Sequence, residues 1–329
     1  MISIIIPCRN EEKYIRDCID SIFLQKDLPE VIEVLVVDGM STDNTREIIK
    51  ELERKYYNLK MIDNPDKITP TALNYGIKNS KGDFICILGA HAEYDPYFIK
   101  NSYEILIKDP VIMCSGGPII SKGKNDFAKA VALAMSSSIG VGNAKHRFAE
   151  YEGFAEMACF PMFKRVIFDK IGLYDEKLLR NQDDEFCFRL RLNGWKVYLS
   201  PKVKSSYYVR DNIPDLFRQY YEYGKWRIPV LQKHKIPISY RQQVPALFFL
   251  TIALLFIISY YFKNIFIGLF LPVIYLIVLI GFTIYSFQKE RFSIIKHLPG
   301  AIFILHFSYA LGFLGGIIKL SLNKIRIIF

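Results

Sequence analysis

Short apolar runs alternate with helical patterns through the first 90 residues of the chain. The runs are too short for helices and rich in β-branched residues, and they lie at residues 3–6, 33–38, 60–63 and 84–88. Between them, apolar residues recur at the spacing of an amphipathic helix. This alternation predicts a mixed, mainly parallel α/β sheet with right-handed crossovers and helices on its faces.

Local signals set the expected helix boundaries. The first helix is predicted to begin at residues 10–12 and to carry an apolar face over residues 14–23. Residues 41–43 supply cap side chains for the second helix. Pro70 lies in the first turn of the third helix, where its missing N–H is tolerated.

Residues 82–96 end in side chains that suit a binding site. A glycine turn precedes the buried strand at 84–88, and small residues follow that strand at once. In an open α/β sheet, ligands gather at the carboxyl ends of the strands. His91, Glu93 and Asp95 then offer groups that bind a divalent cation. The alternative interpretation is a strand end with a solvated loop.

Residues 109–208 have a less regular pattern. Strands are predicted at 111–117, 160–167 and 195–200, and a helix on the sheet edge at 127–138. An acidic triplet at residues 183–185 lies between the last two strands. Residues 215–227 form an amphipathic helical pattern, and we expect this helix to lie against a membrane surface.

Three long apolar stretches follow, at about residues 244–262, 265–287 and 299–320. Each has the length that a membrane-spanning helix needs. The turn at residues 263–264 is so short that the first two stretches must form a hairpin. The next loop carries Lys289, Arg291 and Lys296, which favours the cytoplasmic side.

The third apolar stretch has two interpretations. Three full crossings are the favoured expectation. They place Lys319, Lys324 and Arg326 outside the cell, against the positive-inside tendency. The stretch is also rich in glycine and contains His306, so a re-entrant or in-plane helix stays open as the alternative.

The chain carries 43 basic and 33 acidic residues, a formal net charge of +10. Basic residues cluster just before the apolar region, at Lys225, Arg227, Lys233, Lys235 and Arg241. Such a cluster favours an anionic membrane leaflet on the cytoplasmic side. Nucleic acid is not an expected partner, because no recognition motif accompanies the charge.

The six cysteines are far apart, so neither a disulfide framework nor a zinc site is expected. The N-terminus lacks a basic region followed by a long apolar one, so residues 1–6 are predicted to be a strand and not a signal peptide.

Several segments of the first 230 residues, in consistent order, resemble glycosyltransferase family 2. They lie at residues 3–12, 36–45 and 82–88. Further segments are similar to the succinoglycan glucosyltransferase-like branch of that family, which acts in bacterial polysaccharide assembly. These lie at residues 64–67, 74–77, 90–92, 181–185 and 218–225. The resemblance implies a GT-A fold and an inverting transfer from a nucleotide-diphosphate sugar.

The resemblance also implies a nucleotide pocket. Pro7 and Glu11 would line the base, and Asp38 would accept the uracil N3–H in a charge-assisted hydrogen bond. The alternative for Asp38 is a carboxylate that stabilises a turn or caps a helix. For Glu11 the alternative is an acid in the first turn of a helix, favoured by the helix dipole.

The family's Asp-x-Asp motif corresponds here to Gly89, Ala90 and His91. The carboxylate that usually lies near the ribose is therefore missing, and the usual metal ligand is an imidazole. Histidine suits Mn²⁺ better than Mg²⁺, so His91 is the expected ligand of one of these cations. Glu93 or Asp95 is expected to compensate for the lost acid.

Asp183 matches the family's catalytic base, although Gln182 stands where a glutamate is common. Inverting transfer needs one base to take the proton of the acceptor hydroxyl. Asp184 and Glu185 would raise the pKa of Asp183 by like charge, or bind acceptor hydroxyls. The alternative is an acidic helix N-terminus capped by Asn181.

Cations must neutralise the leaving diphosphate as its charge develops. The candidates are Lys67, Arg210, Lys225 and Arg227. Residues 222–226 have the spacing of the Gln-x-x-Arg-Trp motif of processive synthases, which adds Trp226 and the nearby Gln219 as substrate-binding candidates. An interfacial helix is the favoured interpretation of this segment.

The sequence thus predicts a cytoplasmic GT-A catalytic domain at 1–213, a basic interfacial segment at 214–243 and a membrane domain at 244–329. The expected function is inverting transfer of one hexose from a nucleotide sugar, expected to be UDP-linked, to a polyprenyl-diphosphate-linked saccharide at the inner (plasma) membrane. Single transfer is expected because no spanning helices precede the catalytic domain. The alternatives are a polyprenyl-monophosphate glycosyltransferase and a non-catalytic nucleotide-sugar-binding scaffold.

Overall fold

The computed structural model describes the backbone of residues 1–288 and 290–328, and side chains in these ranges as far as residue 322. The predicted loop cation Lys289 and the side chains of Lys324 and Arg326 lie outside the described residues. By its internal contacts the chain forms two compact units, residues 1–120 with 145–207 and residues 121–144 with 208–329.

The strands of the described residues are β1 (Ile2–Cys8), β2 (Ile32–Asp38), β3 (Leu59–Asp63), β4 (Phe84–Ile87), β5 (Ala92–Tyr94), β6 (Ile112–Gly117), β7 (Ile119–Lys122), β8 (Gly153–Ala155), β9 (Cys159–Lys164), β10 (Lys196–Leu199) and β11 (Ser205–Tyr208). The helices of the first unit are α1 (Ile15–Phe23), α2 (Thr45–Lys55), α3 (Thr69–Asn79), α4 (Phe98–Lys108), α7 (Val166–Ile171) and α8 (Gln182–Leu192). The α-helices of the second unit are α5 (Asp126–Met135), α6 (Ser138–Val141), α9 (Ile213–His234), α10 (Val244–Tyr261), α11 (Ile265–Phe287), α12 (Phe292–Ile295) and α13 (Leu298–Ile328). Short 3₁₀ helices lie at Lys145–Arg147 and Tyr240–Gln243.

The main sheet of the first unit has the strand order β3-β2-β1-β4-β9-β6-β10-β8. Strands β1 to β4 pair in parallel, as do β6 and β10, whereas β9 runs antiparallel to β4 and β6. The predicted mixed, mainly parallel sheet is confirmed. A smaller sheet has the order β5-β11-β7.

Alternation along the strands divides the core into two layers. Ile4 and Ile6 of β1 pack into one apolar cluster, with Ile19 of α1, whereas Ile5 packs into the other, with Leu73 of α3. This is the period of two expected for a strand covered on both faces. The two layers hold the sheet in place, and the candidate site lies at its carboxyl edge.

The first helix begins later than the sequence predicts. Helix α1 starts at Ile15, and Tyr14, predicted to lie on its apolar face, is 39% exposed. The backbone N–H groups of Asn10 and Glu11 donate instead to the hydroxyls of Ser41 and Thr45. These bonds hold residues 10–11 as a loop, so the prediction of a helix from residue 10 is wrong.

The predicted helix at 127–138 is α5. It belongs to the second unit, where it packs against α12 and α13. The ring of Phe127 on α5 lies 6.0 Å from the ring of His297, measured between the ring centroids. Helix α9 is also longer than the predicted 215–227 and continues through Pro229.

In the described residues three helical segments are long and apolar enough to cross a membrane, by length and composition. They are Tyr240–Tyr261, Ile265–Phe287 and Phe292–Leu322. They include the three apolar stretches found in the sequence.

Candidate active site

Three residues form a row across the carboxyl edge of the main sheet. Cys8, Asp38 and Asp63 are in register at the ends of β1, β2 and β3. Arg46 of α2 bridges the two acids, with Nη1 at 2.5 Å from Asp38 Oδ2 and Nη2 at 2.7 Å from Asp63 Oδ1. The guanidinium of Arg46 thus links the ends of two neighbouring strands.

Asp38, the predicted partner of the uracil imide, is fully buried. Its Oδ2 accepts from Arg46 and from the N–H of Ser41 at 3.0 Å, and its Oδ1 accepts from the Ser41 hydroxyl at 2.5 Å. Because this carboxylate has no exposed surface, a base that bonds to it must first displace a neighbouring side chain such as Arg46.

Glu11 lies beside His91, although 80 residues separate them in the chain. Glu11 Oε1 is 3.1 Å from His91 Nδ1. The loop bonds to Ser41 and Thr45 place Glu11 here. The sequence predicts that Glu11 lines the base, and the structure sets it next to the predicted metal ligand instead.

The pair formed by Glu11 and His91 suits a hard divalent cation. Nearly half of the His91 side chain is exposed. Within the described residues no group of three or more His, Cys, Asp or Glu side chains is arranged to hold a metal ion. Two protein ligands are enough where substrate phosphate oxygens complete the coordination, as is usual for Mg²⁺. The residues present therefore fit a cation that arrives with a diphosphate.

Asp95 lies at a different place. With Asn101 and Lys202, it lines a groove of about 450 Å³ in the first unit. Its Oδ1 accepts from the N–H of Tyr97 at 2.9 Å, so it caps the start of α4. Glu93 is on β5, in register with Ser206.

Phe160 explains why residue 89 is glycine. A Cβ on Gly89 would lie 2.9 Å from Phe160 Cε1, closer than real Cβ contacts. Phe160 has a φ of 49°, a left-handed backbone that bulky residues rarely adopt. Its ring also meets the ring of Tyr94, whose hydroxyl is held by the backbone of Gly89. An aromatic ring thus occupies the space that a side chain at residue 89 would enter.

The three acids at the start of α8 differ in their exposure to solvent. Asp183 is exposed, whereas Asp184 is 6% exposed and Glu185 is fully buried. Asp183 is therefore the member of the triplet that a substrate can reach. Asn181 is at the N-cap position of α8, as the alternative interpretation has it, but its backbone is left-handed and its side chain makes no capping hydrogen bond.

Glu185 has a structural role. Its Oε1 is 2.8 Å from Arg189 Nε, and Arg189 also donates to the carbonyls of Ile171 and Leu173. These bonds tie α8 to the turn after α7. A fully buried, ion-paired carboxylate is not available to acceptor hydroxyls, contrary to the prediction for Glu185.

Electrostatics place Asp183 near the strand that carries Phe160. Burial raises the pKa of the Cys159 thiol to about 11, with Arg147 opposing the shift and Asp183 adding to it. Cys159 precedes Phe160, which contacts Gly89. Asp183 and Arg147 thus act on the same thiol, next to the residue that packs over Gly89.

Arg147 was not singled out in the sequence, although it acts electrostatically on the same thiol as Asp183. The sequence signal for it is the run of three basic residues at Lys145–Arg147 within an irregular stretch. Arg46 was missed as well, because nothing local marks a helix arginine that bridges two strand ends.

The remaining predicted residues are divided between the units. Pro7 is half-buried in β1, and Lys67 is exposed in a turn with a φ of 62°. Gln219, Lys225 and Trp226 lie on α9 in the second unit. There Glu222 accepts from Lys225 at 3.2 Å and from the Trp226 indole at 2.9 Å, while Gln219 donates to the Tyr223 hydroxyl.

The fold is that of solved glycosyltransferases. A mannosyltransferase from Pyrobaculum calidifontis, solved with GDP-Man and Mn²⁺, superposes with a TM-score of 0.62 at 15% identity, covering 95% of this chain and 86% of that one. S. aureus TarS, residues 1–349, superposes with a TM-score of 0.52 at 18% identity, covering 74% and 68%. Identities this low show the fold alone, and they confirm the predicted GT-A class.

The family model described as Glycosyl transferase family 2 matches residues 3–172. A Methanococcus voltae protein named dolichyl N-acetyl-alpha-D-glucosaminyl phosphate 3-beta-D-2,3-diacetamido-2,3-dideoxy-beta-D-glucuronosyltransferase is 32% identical over 324 residues, 97% of each chain. Succinoglycan biosynthesis protein ExoA of Rhizobium meliloti is 31% identical over 248 residues, 74% of this chain and 73% of that one. The chain belongs to glycosyltransferase family 2, and it is a glycosyltransferase, as the sequence predicts.

Proposed function

We propose that the protein transfers one hexose, with inversion, from a UDP-sugar to a saccharide carried on a polyprenyl diphosphate. The observation that carries this proposal is the exposed Asp183 at the start of α8, beside two buried acids. The name of the Methanococcus relative, which refers to a dolichyl phosphate-linked sugar, supports a lipid-linked saccharide as acceptor. The similarity to ExoA supports a role in surface polysaccharide assembly.

Asp183 is the general base in this mechanism. It takes the proton of the acceptor hydroxyl while that oxygen forms a bond to the anomeric carbon. The bond from the anomeric carbon to the diphosphate breaks on the opposite face, and the diphosphate leaves with the electron pair. One exposed carboxylate is sufficient, because no covalent intermediate with the enzyme forms.

Positive charge near the diphosphate lowers the barrier. Glu11 and His91 would hold a divalent cation, Mn²⁺ or Mg²⁺, whose role when bound is to neutralise the leaving group. Arg147 and Lys67 are the cations of the first unit that we assign to the same task. The mannosyltransferase from Pyrobaculum calidifontis was solved in complex with Mn²⁺, which supports a cation in this fold.

The apolar segments support a reaction at a lipid surface. The three apolar helices and the basic residues before them fit a multi-pass protein of the plasma membrane with its catalytic domain in the cytoplasm. Anionic lipid is the expected partner of the basic segment. Nucleic acid has no part in this proposal.

A second candidate function follows from Gly89 and Gln182, which stand where the resemblance leads us to expect acids, and from the ring over Gly89. These features fit a scaffold that binds a nucleotide sugar without transferring it. A third acceptor, a bare polyprenyl monophosphate, uses the same chemistry at Asp183 and differs only in the nucleophile.

A donor screen followed by an acceptor comparison tests the proposal. Purified protein in lipid nanodiscs is heated with UDP- and GDP-hexoses, with and without Mn²⁺, because a bound ligand raises the unfolding temperature. The best donor is then supplied in labelled form with three lipids, a polyprenyl-diphosphate saccharide, a polyprenyl monophosphate and a plain phospholipid. We expect label on the diphosphate saccharide alone. Thermal protection by a donor with no labelled lipid would favour the scaffold. Label on the polyprenyl monophosphate would show that this lipid, and not the diphosphate saccharide, is the acceptor.

A further inference from the structure

Helices α9 and α13 of the second unit lie against each other through glycines. A Cβ on Gly224 of α9 would overlap the backbone of Tyr309 and Phe313 in α13. A Cβ on Gly312 of α13 would overlap the backbone of Tyr221 in α9. Small residues allow two helix backbones to approach this closely. The two helices therefore form one continuous seam.

The seam is parallel and runs along the middle of α13. Gly312 meets Tyr221, and Gly316, one turn further on, meets Ile228. Residue numbers rise together on the two helices, so both run in the same direction. Helix α9 thus lies beside the second half of the third apolar stretch, which a full crossing would place within the bilayer together with the first half.

Helix α9 is rich in charge. Its charged residues before the final turn are Asp215, Arg218, Glu222, Lys225 and Arg227, and Lys233 lies in the final turn. If α13 crossed the bilayer, the parallel seam would carry these groups to hydrocarbon depth. Charged side chains are rare and costly there. The helix against which α13 packs is therefore unsuited to a crossing.

The hairpin of α10 and α11 has the opposite character. Only 11% of the most apolar window of each helix is buried, against 44% for α13. Large apolar side chains are exposed along the hairpin, among them Leu254, Ile257, Phe266 and Phe270. Lipid is the environment in which such a surface is stable.

Helix α13 contacts α10 near its start and α11 near its middle. Phe249, in the first two turns of α10, lies 5.3 Å from the ring of Phe307. The hydroxyl of Tyr275 is 2.9 Å from His306 Nδ1, and Tyr275 is level with Phe248 of α10. These contacts lie close to the start of α10, which follows the basic segment of the chain.

We propose that α10 and α11 alone cross the membrane, and that α13 lies with α9 in the plane of the leaflet at the basic end of the hairpin. The partner surface is the headgroup region of an anionic leaflet. Leu311, Ile318 and Leu322 are exposed at helical spacing along α13 and enter the boundary of the hydrocarbon. Lys319 is exposed and reaches lipid phosphates.

This arrangement removes the charge conflict in the sequence. Three crossings place Lys319 on the far side of the membrane, whereas an in-plane α13 keeps it on the side of Arg241. The inference is independent of the transfer reaction, since it concerns only contacts within the second unit.

A depth measurement tests the in-plane helix. Single cysteines at Leu311 and Leu322 of the full-length protein carry a fluorophore, and quenchers are attached at known depths in the lipid. Eleven residues of a crossing helix span about 16 Å. The matched control is the pair Phe266 and Ile277 of α11, with the same separation. We expect equal depths for the α13 pair and a large difference for the α11 pair. A large difference in both pairs would overturn the proposal.

A sidedness measurement provides a second readout. Lys319→Cys, Tyr240→Cys and Lys263→Cys are reacted in sealed vesicles with a membrane-impermeant maleimide, with the unsubstituted chain as background. Tyr240 lies before the hairpin, and Lys263 lies at its turn. We expect residue 319 to react from the same side as residue 240. Reaction from the side of residue 263 would show a third crossing and contradict the proposal. A protease-cleavable tag after residue 329 reports the same side if the cysteine is shielded.

Discussion

The ring of Phe160 lies over Gly89, with Cε1 2.9 Å from the position that a Cβ on Gly89 would take. The two residues are 71 positions apart in the chain. The ring is held there by a left-handed backbone at Phe160. The pair therefore behaves as one unit, and substitutions in it should be coupled.

Replacing Gly89 by Ala tests this coupling. Overpacking a well-filled site typically costs about 1–3 kcal/mol, so Gly89→Ala should lower the unfolding temperature. In a Phe160→Ala background the same substitution should cost far less, because the ring is gone. A double-mutant cycle by thermal unfolding measures the difference. Equal costs in the two backgrounds would show that the ring does not restrict residue 89.

Removing Arg46 tests the buried ion pair at the sheet edge. Arg46→Gln leaves the Asp38 carboxylate buried without its cation, and breaking a buried pair typically costs about 3–5 kcal/mol. The matched control is Arg16→Gln, which removes the exposed pair with Glu51 and should shift the unfolding temperature little. Equal effects of the two variants would contradict the structural role assigned to Arg46.

The buried thiols predict a pH dependence. Burial raises the pKa of Cys18 to about 12, with Glu11 adding to the shift. A pKa raised in the folded state stabilises the protein fully below the unfolded value near 9, and this contribution falls as pH rises toward 12. Stability should therefore decline above pH 9, and Cys18→Ala should flatten the decline. Thermal unfolding between pH 7 and 10 checks both expectations. A Cys18→Ala variant with the same pH profile would contradict them.

The helix seam predicts a contrast between two glycines. Gly224→Ala places a methyl group into the backbone of α13, which no rotamer can relieve, so it should lower the unfolding temperature by several degrees. Gly281→Ala on α11 meets nothing within 4 Å and should be neutral or slightly stabilising. Thermal unfolding in one detergent compares the two. Equal shifts would mean that the close seam does not exist.

Strands β1 to β4 were predictable because each is a short apolar run bounded by turn residues, and they follow the predicted order, whereas the short strands β5, β7, β8 and β11 carry no such run and were not predicted. The start of α1 was not predictable. The local pattern assigns Asn10 and Glu11 to a helix, but their backbone N–H groups donate to the hydroxyls of Ser41 and Thr45. Those hydroxyls are more than 30 residues away, and no local pattern contains them.

The candidate site was predictable in outline and not in detail. The triplet at residues 183–185 is uniformly acidic in the sequence, yet Arg189 and the turn after α7 bury Glu185 and leave Asp183 exposed. Phe160 and Arg46 act through contacts that only the folded chain creates. Periodicity reports which face of an element is buried, and it does not report which neighbour covers that face.

The most direct test of the account is the rate of sugar transfer by Asp183→Asn. The substitution keeps the shape of the side chain and removes its ability to take a proton, so transfer should fall by about 10²–10⁴-fold. Protection of the protein by the nucleotide sugar should be unchanged, and Asp169→Asn, an exposed acid on α7, should leave the rate unchanged. Transfer is followed as labelled hexose in the lipid extract. A rate within threefold of the unsubstituted enzyme would contradict Asp183 as the base, and with it the proposed mechanism.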